Sequence, residues 1–135
     1  MAMQVELVSP ERVLLSTEAS MVMARTLGGG DIAFLPGHAP FIGALAPWIV
    51  EIIPVDGPRQ LAAVHGGFIS ITDDSVKILS DLAELADNID VHRAQAALER
   101  AEAVVARNDD ELAVAEATSA VARANARLRA AGALV

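Results

Sequence analysis

The sequence contains no cysteine, a single lysine (Lys77), and no proline beyond residue 58. Without cysteine there are no disulfides, no thiol nucleophile and no thiolate metal site. Basic residues are too few to build a phosphate-neutralising surface: the formal net charge is −8, which argues against a nucleic-acid partner. Long apolar runs are also missing. The most apolar stretch, A-P-F-I-G-A-L-A-P-W-I-V, carries two prolines and is stopped by Glu51, well short of the roughly 20 residues a membrane helix needs. Met1 to Pro10 has neither a basic start nor a continuous apolar core, so no signal peptide is expected. With 53% apolar and 21% charged residues, the 135-residue chain reads as globular, soluble and cytosolic in character.

Familiar catalytic chemistry is absent as well. Gly28 to Gly30 are followed by no lysine, so no phosphate-binding loop of the Walker type is present. H-G-G-F at 65–68 has the look of a hydrolase oxyanion strand, but no G-x-S-x-G follows; a glycine pair at a hairpin corner is expected there. The three histidines stand 27 residues apart, without carboxylate or histidine partners at helical spacing, which gives a metal site no support. No catalytic residues are assigned, and the chain is not expected to be an enzyme in its own right.

What is present falls into two halves. All six prolines and eight of nine glycines precede residue 68, whereas 16 of the 45 residues from Val91 to Val135 are alanine. Before the boundary, near Asp87 to Asp90, short alternating runs separated by L-G-G-G-D, V-D-G-P-R, H-G-G-F and T-D-D-S predict nine or ten strands, a sandwich or barrel. After it, Val91, Ala94, Leu98, Ala101 and Val105 follow a 3-4 rhythm, as do Val114, Ala117, Val121, Ala124, Leu128 and Ala131. Asn108 to Asp110 supply the turn and a helix cap between them. The expected fold class is α+β, with a β domain over 1–87 and an antiparallel helical hairpin over 88–135. Its alanine-rich seam buries little area, so the hairpin is expected to be held weakly.

Two stretches carry a family resemblance. G-G-D-I-A-F-L-P-G-H-A-P-F-I-G-A-L (29–45) resembles the G-E-I-G-I-L-P-G-H-x-P-L signature of the epsilon subunit of F-type ATP synthase. H-G-G-F-I-S-I-T-D-D-S-V-K-I-L (65–79) is similar to that family's G-G-F-x-x-V-x-x-x-x-V-x-I-L. The resemblance covers essentially the whole chain and implies a ten-stranded β-sandwich followed by two helices. It implies a rotor subunit that links gamma to the c-ring at the cytoplasmic face of the bacterial plasma membrane, touching the membrane only through the complex. It also implies that the helical tail inhibits ATP hydrolysis by reaching the alpha and beta subunits. Asp31 stands where the family has a glutamate at the c-ring contact, and His38 is expected in the same loop. Part of the Phe34 to Val50 segment is expected to dock gamma. Ala33 replaces a glycine of the signature, which would be strained if that position needs a positive φ.

Ile89-Asp90-x-x-Arg93-Ala94 matches the I/L-D-x-x-R-A motif with which bacterial epsilon subunits bind ATP. The family's remaining pocket positions are filled here by Glu84, Arg100, Arg123 and Arg127. ATP is therefore expected as a regulatory ligand, with no cofactor required. Arg93 and Arg100 share a stripe of the first helix, and Arg123 and Arg127 are one turn apart on the second. Folded back, the stripes can meet around a triphosphate. Without an anion, four gathered arginines would repel. By the same resemblance Arg123, Arg127 and Arg129 serve the inhibitory contact to beta, within a tail that has no acidic residue after Glu116. Two other readings stay open: a free-standing ATP-binding regulatory protein, and a purely structural adaptor.

Overall fold

The computed structural model describes residues 2–133; Met1, Leu134 and Val135, at the outer ends of the two expected domains, lie outside the described residues. Nine strands come first: β1 (Met3–Val8), β2 (Val13–Thr26), β3 (Gly30–Phe34), β4 (Phe41–Ala44), β5 (Pro47–Pro54), β6 (Gln60–His65), β7 (Phe68–Thr72), β8 (Ser75–Leu79) and β9 (Ala83–Leu85). A single 3₁₀ turn over Ala86–Asn88 leads to α1 (Val91–Arg107) and α2 (Glu111–Ala130).

Period-2 patterning builds the sandwich. In β1, Met3, Val5 and Leu7 are fully buried while Gln4 and Glu6 face outward. The strand order is β4-β7-β8-β1-β2-β5-β6-β9, with β3 added on β2. β2 is long enough, at 14 residues, to serve both layers. Its first half pairs with β1, and its second half runs between β3 and β5 after a register shift between Ala19 and Met21. Counted as its two halves, as V-L-L-S and A-S-M-V-M-A-R-T suggest, this strand brings nine to ten. Between the layers Phe34, Leu45, Ile52, Ile69, Ile71 and Ile78 form the centre of the core.

Turn chemistry accounts for the connections. Asp73 and Asp74 both take positive φ (49° and 59°), the two-residue turn that suits a tight hairpin between β7 and β8. Gly66 and Gly67 do not close a hairpin: β6 and β7 belong to different layers, so the pair turns the chain from one sheet to the other. Gly67 has φ +117°, and a Cβ there would lie 2.0 Å from the carbonyl oxygen of Leu79. Ala33, by contrast, sits in extended β3 opposite Met23, so alanine in place of the signature's glycine carries no strain.

Both helices are capped by aspartates. Asp90 accepts from the Arg93 backbone N–H (3.1 Å) and Asp110 from that of Ala113 (3.3 Å). Asn108 closes α1 in the left-handed region at φ 52°. The seam runs through Ala94, Ala101, Ala117, Ala124 and Leu128, all buried, whereas Val105, expected in it near the end of α1, is exposed. A second buried stripe, Ala126 and Ala130, packs with Ala63, Ile49, Leu61 and Ile89 of the sandwich side. Ala124 and Ala126 point about 200° apart on the helix, so α2 is clasped between α1 and the sheet. The hairpin is therefore not held by its alanine seam alone.

Candidate functional site

The outer face of the second layer positions the site. Along β6, Ala62 and Val64 point into the core, which turns Leu61, Ala63 and His65 outward toward α2. Glu84 of β9 pairs opposite Ala63, so its carboxylate shares that face. Arg127, on the last third of α2, reaches down to it: Nε donates to Glu84 Oε1 at 2.6 Å, with about a quarter of each side chain exposed. His65 Nε2 lies 3.2 Å from the same oxygen, and its ring is 3% exposed. Burial lowers the His65 pKa below its ordinary value, and the nearby charge of Arg127 acts in the same direction. Glu84 opposes them without prevailing. Among the described residues His65 Nδ1 is buried without a hydrogen-bond partner. A neutral ring donating from Nε2 to Glu84 leaves only a lone pair unsatisfied there, which costs less than an orphaned N–H.

Beside this junction, at the base of the hairpin, is a cleft of about 410 Å³ lined by Glu84, Asp90, Arg93, Arg100 and Arg127, with Leu82, Asn88 and Ala97. Five of the residues expected to bind a nucleotide thus converge on one cavity, of a size that suits a small ligand. Arg93 and Arg100 have no ion-pair partner among the described residues, whereas Arg127 is already paired with Glu84. With Arg127 paired to Glu84, Arg93 and Arg100 remain in the cleft wall as guanidiniums able to donate to an anion.

The remaining candidates are placed differently. Arg123 does not line the cleft; it borders the adjoining groove between the helices, where Ala97 and Arg100 form the shared wall. Four mutually repelling arginines are therefore not assembled: one is neutralised and one stands apart. Ile89 and Ala94 are packing residues, Ile89 against Ala63 and Ala126, and Ala94 almost fully buried. Asp90 holds the Arg93 backbone, not its guanidinium. The H-G-G-F stretch reads as a turn and gives His65 no role at the helix–sheet junction. Only the alternation of β6, extended to its last residue, points to it.

Asp31 and His38 do not share a loop. Asp31 opens β3 and is held bidentately by Arg25 (2.9 and 3.2 Å), its cross-strand partner. That hydrogen-bonded guanidinium lowers the Asp31 pKa, and Arg129 adds to the effect. His38 follows the far end of β3, edge-on to Phe34 with ring centroids 5.0 Å apart. The strand between them sets them apart by about 10 Å or more. Arg129, expected among the tail's contacts to beta, lies over the ring of Trp48 at 4.9 Å, and Arg25 lies over the same ring at 4.1 Å. Of the large apolar side chains in Phe34 to Val50, Leu35 and Ile42 are exposed while Phe34, Leu45 and Val50 are buried.

No group of three His, Asp or Glu side chains that could hold a metal occurs among the described residues, and no helix there is long and apolar enough to cross a membrane. Residues 2–86 match the model of the ATP synthase delta/epsilon chain β-sandwich domain, and residues 87–132 that of its long α-helix domain. The ATP synthase epsilon chain of Streptomyces griseus is 46% identical over 128 residues, 95% of this chain and 94% of the relative. That of Thermobifida fusca is 48% identical over 132 residues, 94% of this chain and 90% of the relative. Among solved structures, a chain in the Euglena gracilis mitochondrial ATP synthase assembly of OSCP, F1 and c-ring superposes with a TM-score of 0.84 at 26% identity, over 96% of this chain and 81% of that one. With both domains matched in order along nearly its full length, the chain belongs to the delta/epsilon-chain family of ATP synthase, whose members are non-catalytic subunits.

Proposed function

We propose that this chain is the rotor subunit that links gamma to the c-ring of a proton-translocating ATP synthase, and that its hairpin responds to ATP. The observation that carries the nucleotide reading is the convergence of Glu84, Asp90, Arg93, Arg100 and Arg127 on one cleft between β9, α1 and α2. Arg93 and Arg100 are disposed to take phosphate oxygens, and Asp90 and Glu84 to orient a base or ribose through hydrogen bonds. A ligand gripping α1 and α2 together stabilises the closed hairpin by RT ln(1 + [ATP]/Kd), about 1.4 kcal/mol at tenfold excess over Kd. In the open form Arg123, Arg127 and Arg129 become free to meet acidic surfaces of the catalytic subunits, which is how the tail inhibits hydrolysis. ATP and the catalytic subunits then compete for Arg127, the one arginine of that tail set that lines the cleft, a switch by population shift.

The face opposite the helices suits the rotor partner. On the outer side of the first layer, Phe68 (57% exposed), Leu79 and Val13 follow one another across β7, β8, β1 and β2 through the register Phe68–Leu79–Val8–Val13. Ile42 of neighbouring β4 is 76% exposed. An apolar row of this length on one sheet face supports docking of gamma there.

Isothermal titration of the isolated chain is the test of the nucleotide reading. One ATP should bind per chain, and Arg93→Ala should weaken it at least tenfold. No heat at millimolar ATP would overturn that reading and leave the rotor role standing. Co-purification with gamma tests the latter.

A further inference from the structure

The docking stripe of α2 is narrow: Ala126 and Ala130 project about 40° apart, and nothing larger than alanine reaches the sheet from that stripe. The two arginines beside it are placed with a regularity the nucleotide reading does not require. Taking the midline of the stripe as reference, Arg127 projects about 80° to one side and Arg129 about 80° to the other. Arg127 descends on the β9 side, to Glu84. Arg129 descends on the β5 side, to Trp48. β5, β6 and β9 are consecutive in the sheet, so the two anchor points are about 10 Å apart, the width of a helix. The helix is straddled.

The Trp48 end is built to receive a guanidinium. Arg25 already lies over the ring at 4.1 Å, and its own charge is met by the bidentate Asp31 pair. Asp31, Glu51, Met23 and Ile49 complete a cleft of about 190 Å³ around the indole, with Arg129 in its wall. Glu51 is engaged by Arg59 at 3.2 Å, which leaves Asp31 as the carboxylate whose field Arg129 shares. A flat cation stacks on an indole face while a carboxylate nearby offsets the second positive charge; an ammonium on a flexible stem matches that geometry poorly.

We propose that Trp48, with the Arg25–Asp31 pair beside it, is a guanidinium-binding site on the sheet whose ligand is the chain's own Arg129. It acts as a second tether for the end of α2, independent of the nucleotide cleft. The site by itself follows from the stacking geometry; its regulatory meaning rests on the reading of the hairpin as an element that opens. While it is occupied, Arg129 is withheld from any acidic partner. Opening then requires release of two arginines held at separate points, and ATP faces only one of them.

The full chain supplies its own reporter, because Trp48 is the single tryptophan and there is no tyrosine. All readings are taken without nucleotide, so a failed ATP titration leaves them untouched. Arg129→Ala, which keeps a strong helix former, should raise acrylamide quenching of Trp48 about twofold. It should also speed amide exchange over residues 124–130 about fivefold, with the sandwich strands unchanged. Arg129→Lys should recover less than half of either effect. Unchanged quenching and exchange in Arg129→Ala would overturn the proposal. Full recovery by lysine would overturn it too, since a simple charge near Asp31 would then suffice.

Discussion

The Nε of Arg127 donates to Oε1 of Glu84 across 2.6 Å, joining α2 to β9 over 43 residues of sequence. Neither side chain is more than about a quarter exposed, so solvent does little to replace the bond once a partner is lost. Glu84→Ala should destabilise docking of α2 by about 1–3 kcal/mol, since it leaves Arg127 half-buried and unpaired and removes the acceptor for His65. Hydrogen exchange over residues 124–130 should quicken ahead of the sandwich. Uniform loss of protection across both domains would instead make this pair part of the global fold.

His65 gives that junction a pH dependence whose sign is fixed. Its pKa is lowered in the docked form, chiefly by burial and then by Arg127, with Arg123 contributing from the same helix and Glu84 opposing from β9. The undocked chain therefore binds more protons near and below the ordinary histidine value of 6.5. Docking is strongest above that value and weakens as pH falls through it. His65→Gln, which can still donate to Glu84, should flatten the dependence between about pH 7 and 5. The check is exchange of α2 amides, corrected for intrinsic rates, as a function of pH.

The arginines should separate into two classes. Arg93 lines the cleft, whereas Arg123 borders only the adjoining groove. Arg93→Ala should cost at least tenfold in ATP affinity and Arg123→Ala about threefold or less, with Arg100→Ala nearer the former because it walls both spaces. Titration calorimetry of the three variants measures this order.

Filling the helix seam should have unequal costs on its two helices. Ala124 is fully buried on the side of α2 that faces α1, so Ala124→Leu should overpack and cost about 1–3 kcal/mol. Ala101 borders the open groove, and Ala101→Leu should be nearly neutral. Denaturant midpoints of the two variants are the measurement.

Gly67 is the backbone position least open to change. Gly67→Ala meets both an unfavourable φ of +117° and the Leu79 carbonyl oxygen at 2.0 Å. A loss of more than about 2 kcal/mol is expected in the sandwich transition, whereas Ala33→Gly, in extended β3, should change stability by about 1 kcal/mol or less.

The sequence by itself determined the two-part grammar, the helix caps and the alternation that makes short strands. These are local properties: proline and glycine placement, an aspartate three residues before an amide, and alternation of apolar side chains act within a few residues of each other. The motif at Ile89 to Ala94 and the spacing of Arg93 and Arg100 were legible for the same reason. Only the tertiary structure decided that Arg127 is already committed to Glu84, that Arg123 stands outside the cleft, and that Arg129 lies over Trp48. It also separated Asp31 from His38 by the length of β3 and brought His65 into contact with Glu84. A heptad-like reading reports one seam per helix. It cannot report that Ala126 and Ala130 form a second, because alanine carries almost no hydrophobic contrast. Which alanine face meets a sheet depends on the angle at which the folded domain presents that sheet, and this is set by contacts between residues far apart in the chain.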